Sequence, residues 1–499
     1  MSDRRLPDSA YNWTSVVGAM MVIASLSIMF ILFLIESFVR ESSVYMGLVI
    51  YIVMPVFLVS GLAFIAIGMH FERRRRLRGD SSRFTGEIRV DLRLSTHRNA
   101  TIIFMLGTGL FLMLSTVGMY QAYHHTESVE FCGTTCHDVM KPEYTAYQNS
   151  AHARVSCAEC HIGGGADWYV RSKLSGAYQV YAVLADVYPK PIPTPVANLR
   201  PARETCQQCH WPEQSFGSRQ DLNYHFLADE ENTAYPISML LHVGSGDGED
   251  GVHWHVSKDN KVEYIARDEK LLDIAWVRMT SPDGESVVYH NEDEPLSEEE
   301  IATLPRHTMD CMDCHNRPSH NYLSPNRTVN EALGKGTLDR GLPYVKMQAI
   351  TLLDVEYEDT PSALKAIDEG LRSFYAEEYP DVLEEQATSV DQAVATIQDI
   401  YSNNFFPEMK VSWRQYPDHI GHSEFIGCFR CHGEVLANEE GDNITADCSI
   451  CHTIIAQGEE GEEGMISPRG LEFIHPEDID GEEFESPCSD CHEGGAEQY

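Results

Sequence analysis

The chain has 499 residues, with 76 Asp and Glu against 37 Lys and Arg and a formal charge of −39 at pH 7. An acidic excess on this scale argues against nucleic acid and favours basic partners, through encounters that salt weakens. At 43 % hydrophobic residues the chain can build a core, and its 14 cysteines all fall into one repeated pattern.

Three apolar runs open the chain, about Ser15–Val39, Val44–Met69 and Thr101–Tyr120. Each is long enough to cross a hydrocarbon layer of about 30 Å at about 1.5 Å per residue, so three transmembrane helices are expected. The first is too long for the apolar part of a signal peptide and has no small-residue cleavage site behind it, so it should remain as an anchor. Between the second and third runs lie Arg73, Arg74, Arg75, Arg76, Arg78, Arg83, Arg89, Arg93 and Arg98, against Arg40 alone between the first and second. Positive loops stay in the cytoplasm. That rule puts the N-terminus inside and everything beyond Tyr120 on the periplasmic side of a bacterial inner membrane.

The cysteines follow. The first motif is Cys132-Gly-Thr-Thr-Cys136-His137, and six others read CxxCH: Cys157-Cys160-His161, Cys206-Cys209-His210, Cys311-Cys314-His315, Cys428-Cys431-His432, Cys448-Cys451-His452 and Cys488-Cys491-His492. Two thiols three positions apart can add to both vinyl groups of one haem, and the adjacent histidine then meets the iron. Zinc ribbons need pairs of pairs and no histidine directly behind, and a redox CxxC needs a βαβ setting. The motifs therefore read as seven covalently bound haem c groups. Haem attachment outside the cytoplasm agrees with the orientation drawn from the arginines.

Between the third and fourth motifs, Val262–Ala266, Ile274–Met279 and Ser286–Tyr289, with the turn Ser281-Pro-Asp-Gly284, predict a small β insertion within 221–305. Ser297 and Glu300 ahead of Ile301–Leu304 form a capping-box pattern. Residues 344–404 have no cysteine, and Ala363–Tyr375 and Val390–Tyr401 carry apolar residues at helical spacing. Tracts such as Glu292–Glu294, Glu298–Glu300 and Glu459–Glu463 read as solvated surface. The expected fold is a multihaem cytochrome c with little regular secondary structure, mainly α, with three N-terminal transmembrane helices and a small β insertion. The expected divisions are 1–125 as anchor, 126–343 with four haems, 344–404 as a haem-free helical spacer and 405–499 with three haems.

Of 22 histidines, seven stand in motifs and fifteen remain. Electron-transfer haems need a second strong ligand, because an open iron invites other chemistry. The candidates are His152 ahead of the second motif, one of His253 and His255 flanking Trp254, His320 after the fourth, His422 ahead of the fifth and His475 ahead of the seventh. His225, His242 and His307 stand in reserve, and His419 also precedes the fifth motif. Residues 326–418 hold no histidine, so the candidates concentrate near the motifs. His70 and His97 would face the cytoplasm. Met140, three positions after His137, is either ordinary packing or a ligand of an unusual first haem, which would lie against the membrane surface where a lipid-soluble donor could reach it.

Phe131-Cys132, Cys136-His137-Asp138-Val139-Met140, Tyr144, His152, Cys157-Ala158-Glu159-Cys160-His161, Trp168, Arg171 and Lys173 resemble the NapC/NirT family of membrane-bound, quinol-oxidising cytochromes. The resemblance covers roughly 100–325, and His320 matches a distal-ligand position of that family. It implies oxidation of menaquinol from the quinone pool at the first haem, with Lys173 nearby, and electron delivery to periplasmic c-type cytochromes in anaerobic respiration. A homo-oligomer in the lipid bilayer is compatible with it. Two departures stand out. The family's first motif is usually CxxCH with the methionine two residues on, and both gaps are one residue longer here. Where the family tends to place an acid six or seven positions after the lysine, this chain has Gln179 and Val180. Gln179 is kept with Lys173 as a candidate residue of the quinol site, and Asp186, Glu36, His124 and His125 are alternatives for the group that takes the quinol proton. Two other readings stay open: a haem-bearing subunit of a larger respiratory complex, and a terminal reductase, for which no lysine-ligated CxxCK motif is present.

Overall fold

The computed structural model describes residues 8–10, 12–38, 54–77, 91–163, 166–194, 200–211, 217–244, 251–257, 259–460, 465–477, 479, 481 and 486–496. They form two compact units, Met1–Thr135 and Cys136–Tyr499, so the boundary falls inside the first cysteine motif.

The first unit contains helices α1 (Trp13–Phe38), α2 (Met54–Leu77) and α3 (Ser95–Thr126). Among the described residues two stretches are long and apolar enough to cross a membrane, Trp13–Phe30 and Met54–Arg75. The third apolar run is helical too, inside the 32-residue α3, but does not stand with these two as a candidate span. Arg73, Arg74 and Arg75 close α2, whereas Arg78, Arg83 and Arg89 lie outside the described residues.

α1 and α2 pack through small residues. A methyl group added at Gly18 would stand 2.6 Å from the Gly61 carbonyl, and one at Gly68 2.6 Å from the Ser15 hydroxyl. Ser15 Oγ also donates to the Ile65 carbonyl at 3.2 Å. Apolar chains gain little from burial when the solvent is lipid, so close backbone approach and interhelical hydrogen bonds hold such a pair. The outer faces stay apolar and exposed, for example Ile23 at 64 % and Val59 at 63 %.

The second unit has far more regular structure than haem packing alone requires, which corrects the expectation of little secondary structure. Its core comes from the cysteine-free stretch. Helices α6 (Pro325–Gly334), α7 (Val345–Leu353), α8 (Thr360–Glu378) and α9 (Ala387–Asn404) turn their apolar stripes together, and Val139 and Ala146 of α4 (His137–Gln148) join them. α8 begins at Asp359, whose carboxylate accepts from Ser362 N at 2.8 Å, and buries Ala363, Ile367, Leu371 and Tyr375. A four-residue repeat of this kind keeps one helical face inward. Residues 344–404 thus build the core of the unit rather than merely linking two parts.

Two antiparallel sheets complete it. The first has the order β1-β2-β8-β9, from Ser218–Phe226, Ala234–His242, His452–Gln457 and Met465–Leu471. The second has the order β6-β3-β4-β5-β7, from His307–Thr308, Lys261–Ala266, Ile274–Thr280, Ser286–Asn291 and Leu436–Ala437. β3, β4 and β5 are the hairpin strands read from the sequence, and Ser297 with Glu300 does close a capping box. Strands from the β insertion therefore pair with strands that follow the fifth and sixth motifs.

Candidate functional site

Each CxxCH motif lies at a short helical turn: Cys157–His161 and Cys311–Cys314 span both cysteines, Ala202–Cys206 ends at the first, and Gly427–Arg430, Cys448–Ile450 and Cys488–Asp490 stop one residue before the second. One turn carries residues three apart to the same side, which is what attachment of two thiols to one macrocycle demands. A backbone bond from the histidine N–H to the first cysteine's carbonyl closes several of these turns, at 2.8 Å for His210, His315 and His492 and 3.2 Å for His432. The first motif differs. Cys132 lies in the short helix Val129–Thr134, and Cys136 caps α4 with φ −110° and ψ 50°, so a break in the helix accommodates the extra residue. None of the fourteen cysteines is spent in a disulfide. Among the described residues no cluster of three or more His, Cys, Asp or Glu is arranged to hold a bare metal ion.

Six motif histidines each face a second histidine ring from elsewhere in the chain. The centroid separations are 6.0 Å for His210 with His152, 6.1 Å for His161 with His320 and 6.4 Å for His315 with His253. They are 5.7 Å for His432 with His255, 6.2 Å for His452 with His422 and 5.9 Å for His492 with His475. A metal–imidazole bond is about 2.0 Å, and a five-membered ring with bonds near 1.35 Å has a radius of about 1.15 Å. Two bonds and two radii across one iron span about 6.3 Å by those same dimensions. The residues present therefore fit a bis-histidine haem at six motifs.

Hydrogen bonds orient many of these rings. Nδ1 meets a backbone carbonyl at 3.2 Å in His152 (Pro318), 3.0 Å in His320 (Glu143) and 3.0 Å in His255 (Val252). It does so at 2.6 Å in His432 (Thr445) and 2.8 Å in His475 (Glu477). A carbonyl only accepts, so in His152, His255, His320 and His432 Nδ1 carries the proton and the Nε2 lone pair is left for a metal, whereas His475 Nδ1 also meets the Glu477 N–H at 3.2 Å. Glu143 adds its carboxylate, 3.1 Å from His320 Nδ1 and 3.2 Å from Arg317. Burial lowers the pKa of His161, His253, His255, His315, His320, His422 and His452, favouring the neutral ring that binds iron. Nδ1 of His253, His422 and His452 is buried with no partner among the described residues.

His253 and His255 face the histidines of different motifs, where the sequence suggested that one of them would ligate. They lie on the 3₁₀ turn Val252–Val256. With three residues per turn, positions two apart point in directions about 120° from each other, so one short turn can serve two sites. The reserve histidines pair with no motif ring among the described residues. His242 Nε2 is 3.1 Å from Thr453 Oγ1, His307 stacks on Tyr264 at 5.1 Å, and His225 is pushed down to about 4 by burial and then by Lys346.

The motifs follow one another in space as in sequence. Cys160 is raised by burial and also by Cys209, and Cys206 by a hydrogen bond to Cys311. After burial, Cys314 and Cys451 are both raised by Cys428, and Cys488 by Cys448. Each motif from the second to the sixth thus lies beside the one that follows it. A continuous cavity of about 3080 Å³, lined by cysteines and histidines of the third to seventh motifs, runs beside them.

The first motif has no such arrangement. His137 is exposed, its Nδ1 lies 2.7 Å from Asp138, and no ring pair includes it among the described residues. Met140 stands one helical turn further along α4, on the same side as His137. Lys173 and Gln179 lie on α5 (Ala166–Leu184), and Asp186 follows its end at φ 52°. Six residues advance a helix by about 600°, so Gln179 points away from Lys173, and the residue above Lys173 on its own face is Val180. Gln179 instead donates to Ser175 Oγ at 3.3 Å. His124 and His125 occupy the last turn of α3, and the Glu36 side chain lies outside the described residues.

Sequence reasoning missed Glu143, Arg317 and the carbonyls that hold the imidazoles. Backbone acceptors leave no signature in residue type.

Residues 94–191 match the NapC/NirT cytochrome c family, N-terminal region. Over 501 aligned positions the chain is 41 % identical to the cytochrome c-type protein ImcH of Geobacter sulfurreducens, covering 100 % of this chain and 98 % of that protein. No solved structure matches the chain. The motif turns, the facing histidines and the full-length relative lead to one conclusion: this chain belongs to the NapC/NirT family of c-type cytochromes, electron-transfer proteins with covalently bound haem.

Proposed function

We propose that the protein is a seven-haem cytochrome of the inner membrane that oxidises menaquinol at the outer face and passes electrons to periplasmic c-type cytochromes. The observation that carries this is the set of six histidine pairs, 5.7 to 6.4 Å between ring centroids. Haem, when bound, supplies one-electron chemistry at its iron. The paired imidazoles at six motifs would hold such a haem from both sides and leave it no open position for a substrate. That disfavours a terminal reductase, which needs an open iron for its substrate.

Entry at the first motif is supported by its missing ring partner and its place six residues after α3 ends at Thr126. His137 and Met140 on one helical face would be alternatives for one axial position rather than opposite ligands. α5 supports a quinol site near Lys173. It exposes Leu174 at 69 %, Tyr178 at 65 %, Tyr181 at 60 % and Leu184 at 83 %, a surface suited to an apolar ring and tail. In this reading α3 is the third span and the arginines between α2 and α3 stay in the cytoplasm. Lys173 and Asp186 are the groups that would bind the quinol hydroxyls and release their protons outward, with Gln179 a hydrogen-bonding neighbour.

The test is direct. Full-length protein should carry seven covalent haems by pyridine haemochrome and mass spectrometry, and a menaquinol analogue should reduce it in detergent. Fully loaded protein that the analogue leaves oxidised would sink the proposal.

A further inference from the structure

Arg430 lies between the cysteines of the fifth motif, and Asp313 lies between those of the fourth. The Arg430 guanidinium joins the two loops directly. Nη2 donates to the Asp313 carbonyl at 2.8 Å, Nε to the Gly427 carbonyl at 2.8 Å and Nη1 to the Leu271 carbonyl at 2.8 Å. Nη1 also reaches His419 Nδ1 at 3.1 Å. His419 Nδ1 also lies 3.1 Å from the Asp313 carbonyl, and its Nε2 lies 3.1 Å from the Lys270 carbonyl, so the ring is held from three segments. His419 is 5 % exposed with both nitrogens engaged, so it braces the arginine and is withdrawn from iron ligation. On the other side the Asp313 carboxylate accepts from the Tyr264 hydroxyl and closes a capping box with Asp310. Asn316, next to His315, accepts from His419 N at 3.3 Å and donates to the Pro417 carbonyl at 2.7 Å.

Three carbonyls from three segments thus converge on one planar fork: the fourth motif, the fifth motif and the turn between β3 and β4. Leu271 presents its carbonyl from a left-handed backbone, φ 58°. A lysine ammonium could not serve all three directions with a rigid geometry. This is also where the four motifs ahead of the cysteine-free core meet the three behind it.

We propose that Arg430 is the positioning residue of this junction. It sets the separation and relative orientation of the fourth and fifth haems, and so the rate at which one electron passes from a ferrous donor to a ferric acceptor, with no bond made or broken. The proposal rests on the seven-haem reading.

The experiment uses full-length, haem-loaded protein in lipid nanodiscs, comparing wild type with Arg430→Lys. Haem count, thermal midpoint, Soret circular dichroism and the time course of reduction by a menaquinol analogue are measured together. Arg430→Lys should retain seven haems, change the Soret exciton couplet and slow the late phase of reduction several-fold, leaving the early phase as in wild type. An unchanged couplet and late phase at full loading would overturn the proposal, even if the midpoint fell. Should Arg430→Lys lose haem, His419→Gln is measured in the same way. It removes the imidazole brace and should give a smaller change of the same sign, and no change would count against the clamp. Wild type lacking haem at the fourth or fifth motif would instead refute the seven-haem reading.

Discussion

At the scale of single residues, imidazole orientation matters more than histidine number. Four of the twelve paired rings, His152, His255, His320 and His432, have Nδ1 tied to a main-chain carbonyl and to no donor, which fixes tautomer and direction together. Truncating a facing histidine should therefore open an iron without releasing a haem, because thioether attachment depends on the cysteines. His255→Ala is expected to retain the covalent haem content of wild type and to convert one haem from low to high spin by electron paramagnetic resonance. A high-spin signal no larger than that of wild type would refute the pairing of His255 with His432. Glu263 offers a separate residue-level test away from the iron sites. Its side chain is 8 % exposed between Lys261 at 3.0 Å and Arg278, opposite which it sits in the β3–β4 register. Burial works to raise its pKa, but hydrogen bonds from Arg278 and Lys261 prevail and hold it low. A carboxyl depressed in the folded state stabilises above its unfolded value of about 4.3, and that contribution fades as pH falls through the lower folded value. Glu263→Gln should cost roughly 1–3 kcal/mol at neutral pH. Thermal midpoints measured from pH 7 to 3 should converge for variant and wild type at the acid end.

At the scale of elements, two kinds of helix packing coexist. In the anchor, Gly18 and Gly61 allow backbones to touch, so Gly18→Ile must push α1 away from α2. The expected outcome is faster protease cleavage between the two helices in detergent, with haem content unaffected. In the second unit the helices pack through large side chains, with Ile350, Ile367 and Leu371 all at 0 % exposure. Leu371→Ala should cost about 2–5 kcal/mol, as cavities in well-packed cores do. Because α8 supports α7 and α9, a lower midpoint should accompany easier loss of native structure around motifs on both sides of the core. Calorimetry with haem counting after mild heating checks this.

At the scale of the molecule, early and late segments are woven together. β2 pairs with β8 and β5 with β7, and Gly494 near the C-terminus accepts a backbone bond from Asn326 at 3.1 Å. The late motifs therefore share strands and hydrogen bonds with the early part rather than forming a lobe of their own. Charge also acts at this scale. With a formal net charge of −39, encounters with a basic electron acceptor should slow as salt is added. The effect should be marked between roughly 0.01 and 0.15 M ionic strength, where the screening length falls from about 30 to 8 Å. Stopped-flow transfer to a basic cytochrome tests it, and a rate independent of salt would contradict steering.

The amino-acid sequence by itself determined what is covalent or local. Cysteine spacing places two thiols on one turn, and Ser297 with Glu300 starts a helix. Ala363, Ile367, Leu371 and Tyr375 mark a buried helical face, and alternation near 262–289 marks a hairpin. Each depends on neighbours within a few positions. Only the tertiary structure decided which histidine faces which, because partners range from His475 and His492, 17 residues apart, to His255 and His432, 177 apart. It also separated His419, whose nitrogens are both engaged by other segments, from His422, which stands three positions away and faces a motif ring. Ligand identity is a matter of residue type, but ligand pairing is a matter of distance. Distance between remote residues follows from how the core and sheets pack, which no local pattern encodes.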